Sequence, residues 1–564
     1  MINRLKVLLF GLYSSRWYPD EVLEAWKGIN GEKKLGNIDH RSWSFFTFQP
    51  QSNHPKINLA GAKVSMSGLT DIWNEKNLST VDNETVNLAH RFHWLVEHIA
   101  SGVEASKLKS YFEQIMIWIS LHSEQKKGIA WQPYNISERI CNLIVYASVA
   151  INHSCITKNQ FQELQLVIED HLLTLKDNLE YPASGIINNH VINNARALYI
   201  GGYFTLREDF ILLATTILKR HLPKMIGNGG FLLEASSHYQ LLLTRTILEI
   251  SVVANIFDDS AFTDWIGKYS RAMTGASRRL IPTDLKRLSD LPAIGDVSPD
   301  VPFDWFDPRE THNRGLWNKI WGSTINTTGP SDTQSKDNNG WDVVDWSDWF
   351  AIAYSHPSNQ AYPIGHGHRD FGSFVLYNSG YPIFIDIGRY SYDSHSSEQL
   401  IGNEAEAHST VILNNRELLF HLDGFMPLLG GSDLSLVKYR GDSDQQYIVR
   451  GIDRPNEFKW TRNIQLVDQH EVVITDSFYA LSLEGFLYFS PHISIKGMNN
   501  HSIYFKIDEF DFSLSVFGAD TVEITQVSYF PSYGIKAGTN RISWIKKESN
   551  AKENIIRIVL KKIC

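Results

Sequence analysis

Cysteine is scarce in this chain. Cys141, Cys155 and Cys564 are the only three. An odd, widely spaced set excludes a disulfide framework, so the fold does not depend on an oxidising compartment. Long apolar runs are lacking too: none approaches the roughly 18 residues needed to span a bilayer. There is no excess of positive charge, with 53 Lys and Arg against 62 Asp and Glu and a formal net charge of −9. The total therefore gives no sign of a nucleic-acid binder, though it leaves room for a local basic groove facing an anionic polymer. Short-period repeats and low-complexity tracts are absent. A secretory leader is at most weakly indicated. Arg4 and Lys6 precede an apolar stretch from Val7 to Tyr13, but Gly11 interrupts it and no small-x-small cleavage site follows. An ordinary first helix is the expectation there, and localisation, periplasmic or cytoplasmic in a bacterium, stays open. Oligomeric state is not legible.

What is present points to a multidomain globular protein. The 564 residues exceed what one hydrophobic core organises, so two or three domains are expected. Hydrophobic residues make up 43% and charged residues 20%, an ordinary soluble composition. Aromatics are plentiful, with 16 Trp, 23 Tyr and 29 Phe. Such rings stack on sugars, but they also fill β-sandwich cores, and the core is the first expectation for any one of them.

Residues from about 80 to 280 read as helices with little proline. Leu88, Phe92, Leu95 and Ile99 recur on one helical face. Leu108, Phe112, Ile115 and Ile119 repeat the pattern, as do Leu164, Ile168, His171 and Leu175. Further helices are expected around 188–198, 210–219 and 238–256. Short polar breaks between them favour antiparallel helix pairs. Near residue 300 the character changes. Pro299, Pro302 and Pro308 cluster, and Thr327 to Gly340 reads as a linker. Strands follow, with Asn378-Ser379-Gly380 as a hairpin turn between apolar runs and Asn414-Asn415 closing Val411-Ile412-Leu413. Many short strands predict a sizeable β-sandwich. The expected division is an N-terminal segment 1–80, a helical domain 81–325 and a β domain 340–564.

Three constellations could carry chemistry. In Gly365-His366-Gly367-His368-Arg369-Asp370, the two histidines point the same way if the segment is extended. With Asp386 and His408 further on, two imidazoles and a carboxylate could form a tetrahedral zinc site with water as fourth ligand. They could equally be separate polar residues at strand ends. Asn188-Asn189-His190 with Asn193, Asn194 and Arg196 is dense in asparagine for a helical region, and helix capping is the plain alternative. Glu234-Ala235-Ser236-Ser237-His238-Tyr239 opens an apolar helix, where a serine could be the cap and Tyr239 could be core.

Together these segments resemble the heparinase II/III-like polysaccharide lyase family. The family's G-H-x-H-x-D run appears as Gly365 to Asp370, its D-x-G-x-Y-S-Y run as Asp386 to Tyr392, and its A-H-[NS]-T-V run as Ala407 to Val411. The helical half carries the N-H-x-x-x-N-x-x-A-L pattern from Asn189 to Leu198 and the E-x-S-x-x-Y pattern at Glu234, Ser236 and Tyr239. Gly128 to Tyr134 with Arg139, and Leu291-Pro292 with Gly295-Asp296, are also similar. The resemblance spans roughly residues 80 to 460. It implies an α+β multidomain protein, an incomplete (α/α) toroid followed by an antiparallel β-sandwich, with the substrate cleft between them. It implies β-elimination on a uronic-acid-containing polysaccharide. By position it gives Asn189 the uronate carboxylate, and it gives His190, Tyr239 and His366 proton transfer or positioning. It gives His368, Asp386 and His408 a zinc ion of structural role. Asn188, Glu234, Arg369 and Arg389 are candidate substrate contacts, with Arg196 and Arg416 further candidates should the substrate be sulfated. One departure stands out. Leu400 to Ala405 occupies the place where many relatives carry a Y-F-R-S-like run with a second catalytic tyrosine.

The residue types suit the reaction. Removing the C5 proton of a uronate builds negative charge on its carboxylate, so pre-aimed donors such as an asparagine amide matter most. A histidine titrates in the range for a general base, and a tyrosine can exchange a proton when nearby positive charge lowers its pKa. Uronyl C5-epimerisation starts with the same abstraction and is the nearest alternative. A glycoside hydrolase using Glu234 and Asp296, and a glycan-binding protein without catalysis, are further ones. No nucleic-acid partner and no membrane span are expected.

Overall fold

The computed structural model describes residues 18–563 apart from 30–34, 36–39, 47, 52–55, 75–80, 182–186, 228, 310–314, 322–339, 355–364, 393–401, 419, 423–424, 429–445 and 455–457. The expected first helix, most of the expected linker, Leu400, Ile401 and Cys564 lie outside the described residues. The chain forms two compact units that are not contiguous in sequence. The first comprises residues 1–230, 241–275 and 299–333, and the second comprises 231–240, 276–298 and 334–564. This division cuts across the expected boundaries: the Glu234–Tyr239 and Gly295-Asp296 segments belong with the strands.

The first unit is the incomplete (α/α) toroid. Helix Pro133–Asn152 is buried from Tyr134 to Ala150 and packs against helices Asn83–Arg91, His93–Ser101, Lys158–Lys176 and Asn189–Thr205. Thr157 and Gln160 form a reciprocal capping box that starts helix Lys158–Lys176. Its buried residues include Leu164, Ile168, His171 and Leu175, the expected face. The periodicity from Leu88 to Ile99 belongs to two helices instead of one. Phe92 adopts a left-handed conformation (φ 59°) that breaks the axis, and its fully buried ring sits against Trp73, Trp94 and Trp118. Hydrophobic spacing records burial but not the break, because both helices bury the same kind of face.

Two buried arginines organise this unit. Arg196 bonds Glu138 (2.9 Å) and Glu249 (3.1 Å). At 1% exposure it is a core ion-pair residue, not a sulfate contact. Arg139 lies over Trp118 (4.2 Å) and Trp131 (5.3 Å) and donates to the carbonyls of His90 and Ala130. That contact accounts for the Gly128–Tyr134 run as packing.

The second unit is an antiparallel β-sandwich. One sheet orders strands Trp341–Trp346, Trp349–Tyr354, Phe374–Asn378 and Tyr381–Phe384. The other follows the path Gln446–Arg454, Phe458–Leu466, Glu471–Tyr488, Ile535–Ile563, Phe510–Phe517, Ser502–Ile507, Ser494–Asn499, with Val411–Leu413 also paired to Glu471–Tyr488. Alternating burial along Phe458–Leu466 turns one face inward. The shared core joins Trp349, Phe374 and Ile383 of the first sheet to Trp460, Phe478 and Trp544 of the second. The hairpin at Asn378-Ser379-Gly380 forms as expected. Ser379 (φ 50°) and Gly380 (φ 77°) take the paired positive dihedrals of a tight turn.

Candidate functional site

Within the second unit, three segments distant in sequence are tied by backbone hydrogen bonds. His366 N donates to Glu234 O (3.2 Å), and Asp296 N donates to His366 O (2.8 Å). Gly295 makes the approach possible. It has φ +74°, and a Cβ there would stand 2.5 Å from the Ala235 carbonyl oxygen and 2.7 Å from that of His366. Ser236 Oγ accepts from Tyr239 N (3.1 Å) and donates to Asp296 O (2.8 Å). The serine of the E-x-S-x-x-Y pattern thus caps the helix Ser237–Ile256 and anchors the aspartate segment.

This frame brings Tyr239 and His366 into face-to-face contact, with ring centroids 3.5 Å apart and planes 14° from parallel. Tyr239 Oη lies 3.0 Å from Tyr392 Oη, and Tyr392 also bonds Val297 O (3.2 Å). His366 Nδ1 donates to Asp296 Oδ2 (3.0 Å), while its Nε2 lies 3.6 Å from Glu234 Oε2. Asp296 Oδ1 accepts from His368 Nε2 (2.7 Å) and from Arg389. Burial penalises the Asp296 charge, but Arg389 and the two imidazoles outweigh it and hold the carboxyl well below its usual range. Arg389 in turn lies over the Tyr392 ring (4.5 Å). Burial, followed by the neighbouring Tyr239 and Asp296, pushes the Tyr392 phenol well upward, so it stays protonated. From sequence, Asp296 received only the hydrolase alternative and Tyr392 no role, although both stand in quoted motifs. A Gly-Asp pair and a motif-ending tyrosine were the available signals.

Other expected site residues fall elsewhere. Asn188 is the N-cap of helix Asn189–Thr205, its Oδ1 accepting from His190 N (3.2 Å). Asn189 is 5% exposed. His190 donates to Glu180 (3.1 Å) and lies against the Tyr134 ring (4.6 Å). Tyr134 donates to Asp300 (2.6 Å), which also pairs with Arg91. Asn194 accepts from Glu180 N (3.0 Å) and bonds Ser137 (3.0 Å), a structural clasp. Asn189 and His190 thus stand beside a buried charged cluster of the first unit. Arg369 pairs with Glu417 (2.8 Å), and Glu417 also accepts from Ala405 N (3.0 Å). Glu417 thereby braces the segment at Ala405.

The expected zinc trio is not gathered as three ligands: no group of three or more His, Cys, Asp or Glu is poised to hold a metal among the described residues. Asp386 is engaged by His408 Nδ1 (2.7 Å) and Gly388 N (3.2 Å), and His368 Nε2 by Asp296. The His368 and His408 rings lie 5.2 Å apart. The outer nitrogens, His368 Nδ1 and His408 Nε2, are buried with no hydrogen-bond partner among the described residues, as is Asp370 Oδ2. Burial, opposed by His408 and aided by Asp386, raises the Asp370 carboxyl to about 7.

Residues 328–559 match the family described as heparinase II/III-like, C-terminal. Solved structures share the fold along nearly the whole chain. A heparinase III aligns with TM-score 0.63 at 13% identity, covering 96% of this chain and 89% of that one. A second heparinase III gives 0.60 at 16%, covering 96% and 88%. The heparan sulfate lyase HepC of Pedobacter heparinus gives 0.53 at 13%, covering 96% and 87%. At such identities the likeness carries the fold alone. No curated protein matches the sequence.

Proposed function

We propose that this protein, whose residues 328–559 match the family described as heparinase II/III-like, C-terminal, is a polysaccharide lyase cleaving a uronic-acid-containing polysaccharide by β-elimination. The observation that carries the reading is the Tyr239–His366 stack, with Asp296 behind the imidazole and Tyr392 behind the phenol. Proton transfer needs groups at hydrogen-bond range or one water away, and two such groups in ring contact can serve one linkage. One takes the C5 proton. The C–H electrons form the C4–C5 double bond, the C4–O4 bond breaks, and the other group protonates O4. Asn189 keeps the role the resemblance implies, stabilising charge on the uronate carboxylate. His190, Glu234, Arg369 and Arg389 remain positioning or binding candidates. The hydrolase reading is disfavoured. Glu234 and Asp296 flank the His366 imidazole and are 1% and 3% exposed, so neither is presented to a glycosidic bond.

Zinc belongs to the proposal as a structural ion near His368, Asp386 and His408. The support is two buried imidazoles, each with one nitrogen held by a carboxylate and the other left over, the orientation that ligating histidines commonly take. When bound, the ion would stiffen the segment bearing His366. Elemental analysis should find about one zinc per chain, and His408→Ala should remove it and lower the melting temperature. Metal-free protein of unchanged stability ends the zinc proposal.

The deciding experiment is a panel of uronate polysaccharides followed by the ultraviolet absorbance of the unsaturated product. Absorbance growth supports the lyase. Exchange of the C5 hydrogen with deuterated solvent and no chain cleavage would instead identify an epimerase, and neither signal on any substrate would leave a binding protein.

A further inference from the structure

The chemistry above needs His366 in one tautomer, and a single side chain can set it. Asp296 is 3% exposed. Its Oδ2 accepts from His366 Nδ1 (3.0 Å), and its Oδ1 accepts from His368 Nε2 (2.7 Å) and from Arg389. Its partners are two imidazoles and a guanidinium, and it accepts from all three. The carboxylate is itself locked. Asp296 N donates to His366 O, Asp296 O accepts from Ser236 Oγ, and Gly295 before it takes a conformation open to glycine. These contacts fix the backbone, and turning the carboxylate away from His366 would break its bonds to His368 and Arg389.

We propose that Asp296 is the positioning residue of the site: it fixes the proton of His366 on Nδ1, leaving the Nε2 lone pair to exchange a proton with substrate, and aligns Arg389 beside the tyrosine pair. The inference deepens the lyase reading and rests on it for the kinetic consequence, while the tautomer stands on geometry: Asp296 Oδ2 is within hydrogen-bond distance of Nδ1 (3.0 Å), whereas the other carboxylate beside the ring, Glu234, is 3.6 Å from Nε2 and beyond it. A carboxylate that only accepts forces Nδ1–H on the imidazole. An amide in its place can offer its NH2 group, which favours the opposite tautomer with Nε2 protonated. Asp296 acts through His366 and Arg389 and need not touch substrate.

Two measurements test this separately. Nitrogen-15 NMR of histidine-labelled wild-type protein, with His366 assigned by its loss in His366→Gln, reads the tautomer with no substrate or variant of Asp296 needed. The expected result is a proton on Nδ1. A proton on Nε2, or fast exchange between both forms, overturns the proposal. Asp296→Asn, isosteric and checked for folding by its melting curve, should move the His366 signals toward the other tautomer. On a substrate found by the panel, it should lower kcat about 100- to 10,000-fold with KM changed less than about threefold. A kcat near wild type with a shifted tautomer also overturns the positioning role. Correct tautomers in a protein that cleaves nothing would instead count against the lyase reading, so the two failures are distinguishable. If Asp296→Asn does not fold, the wild-type tautomer still decides.

Discussion

Tyr239 and His366 touch, so their removal should be felt in the chemistry before it is felt in the fold. Tyr239→Phe deletes one hydroxyl, which lies 3.0 Å from Tyr392 Oη. The ring keeps its contact with His366. Stability should therefore fall by no more than about 1 kcal/mol, while product formation drops about 100-fold or more. Equal losses in both would make Tyr239 a packing residue. Asn189→Ala separates transition-state stabilisation from binding. If its amide serves a carboxylate that gains charge during the reaction, kcat should fall about 100- to 1,000-fold with little change in KM. A change confined to KM reduces Asn189 to a binding contact.

At the scale of elements, regular periodicity was legible and close approach was not. The buried faces of Lys158–Lys176 and the turn at Asn378 to Gly380 follow from spacing and turn chemistry. The break at Phe92 does not, since a large aromatic in a left-handed conformation opposes local preference and is held by its burial among tryptophans. Phe486 to Phe489 reads as a separate short strand, yet most of it ends the long strand Glu471–Tyr488. The site shows the same pattern. Motifs pointed to His366 and Tyr239, whereas the role of Asp296 arises from bonds to residues about 70 to 90 positions away. The sequence holds one trace of that convergence, Gly295. Gly295→Ala should cost roughly 2 kcal/mol or more, because the new methyl would meet two carbonyl oxygens and the dihedral is unfavourable for alanine. Urea unfolding measures it. A loss below about 0.5 kcal/mol would mean that the three segments have room to spare.

At the scale of the whole molecule, acid should reach the helical unit through its histidines before it reaches the carboxylates. His98 and His221 are each 4% exposed and accept from tyrosine hydroxyls, Tyr111 at 2.7 Å and Tyr181 at 2.9 Å. Burial pushes the Tyr111 phenol up to about 12, and Tyr181 higher still, so both remain donors across the acid range. The same burial lowers each imidazole from 6.5 to about 4. A depressed histidine favours folding while it is neutral. Its contribution is complete above pH 6.5 and is lost as pH falls from there toward 4, because the unfolded chain takes the proton first. The loss should be on the order of 2 kcal/mol per histidine. Glu138 belongs to a lower window. Arg196 and Arg245 outweigh its burial and hold its carboxyl below the ordinary 4.5, so its contribution is lost only under stronger acid. Melting temperatures followed by far-ultraviolet circular dichroism between pH 7 and 4 should therefore decline from about pH 6.5 downward. His98→Gln with His221→Gln should make that limb shallower without abolishing it, since burial also depresses His90, His122 and His171, and should leave the steeper loss at lower pH. An unchanged slope in the double variant would assign the upper limb to other groups and remove these two histidines from the account.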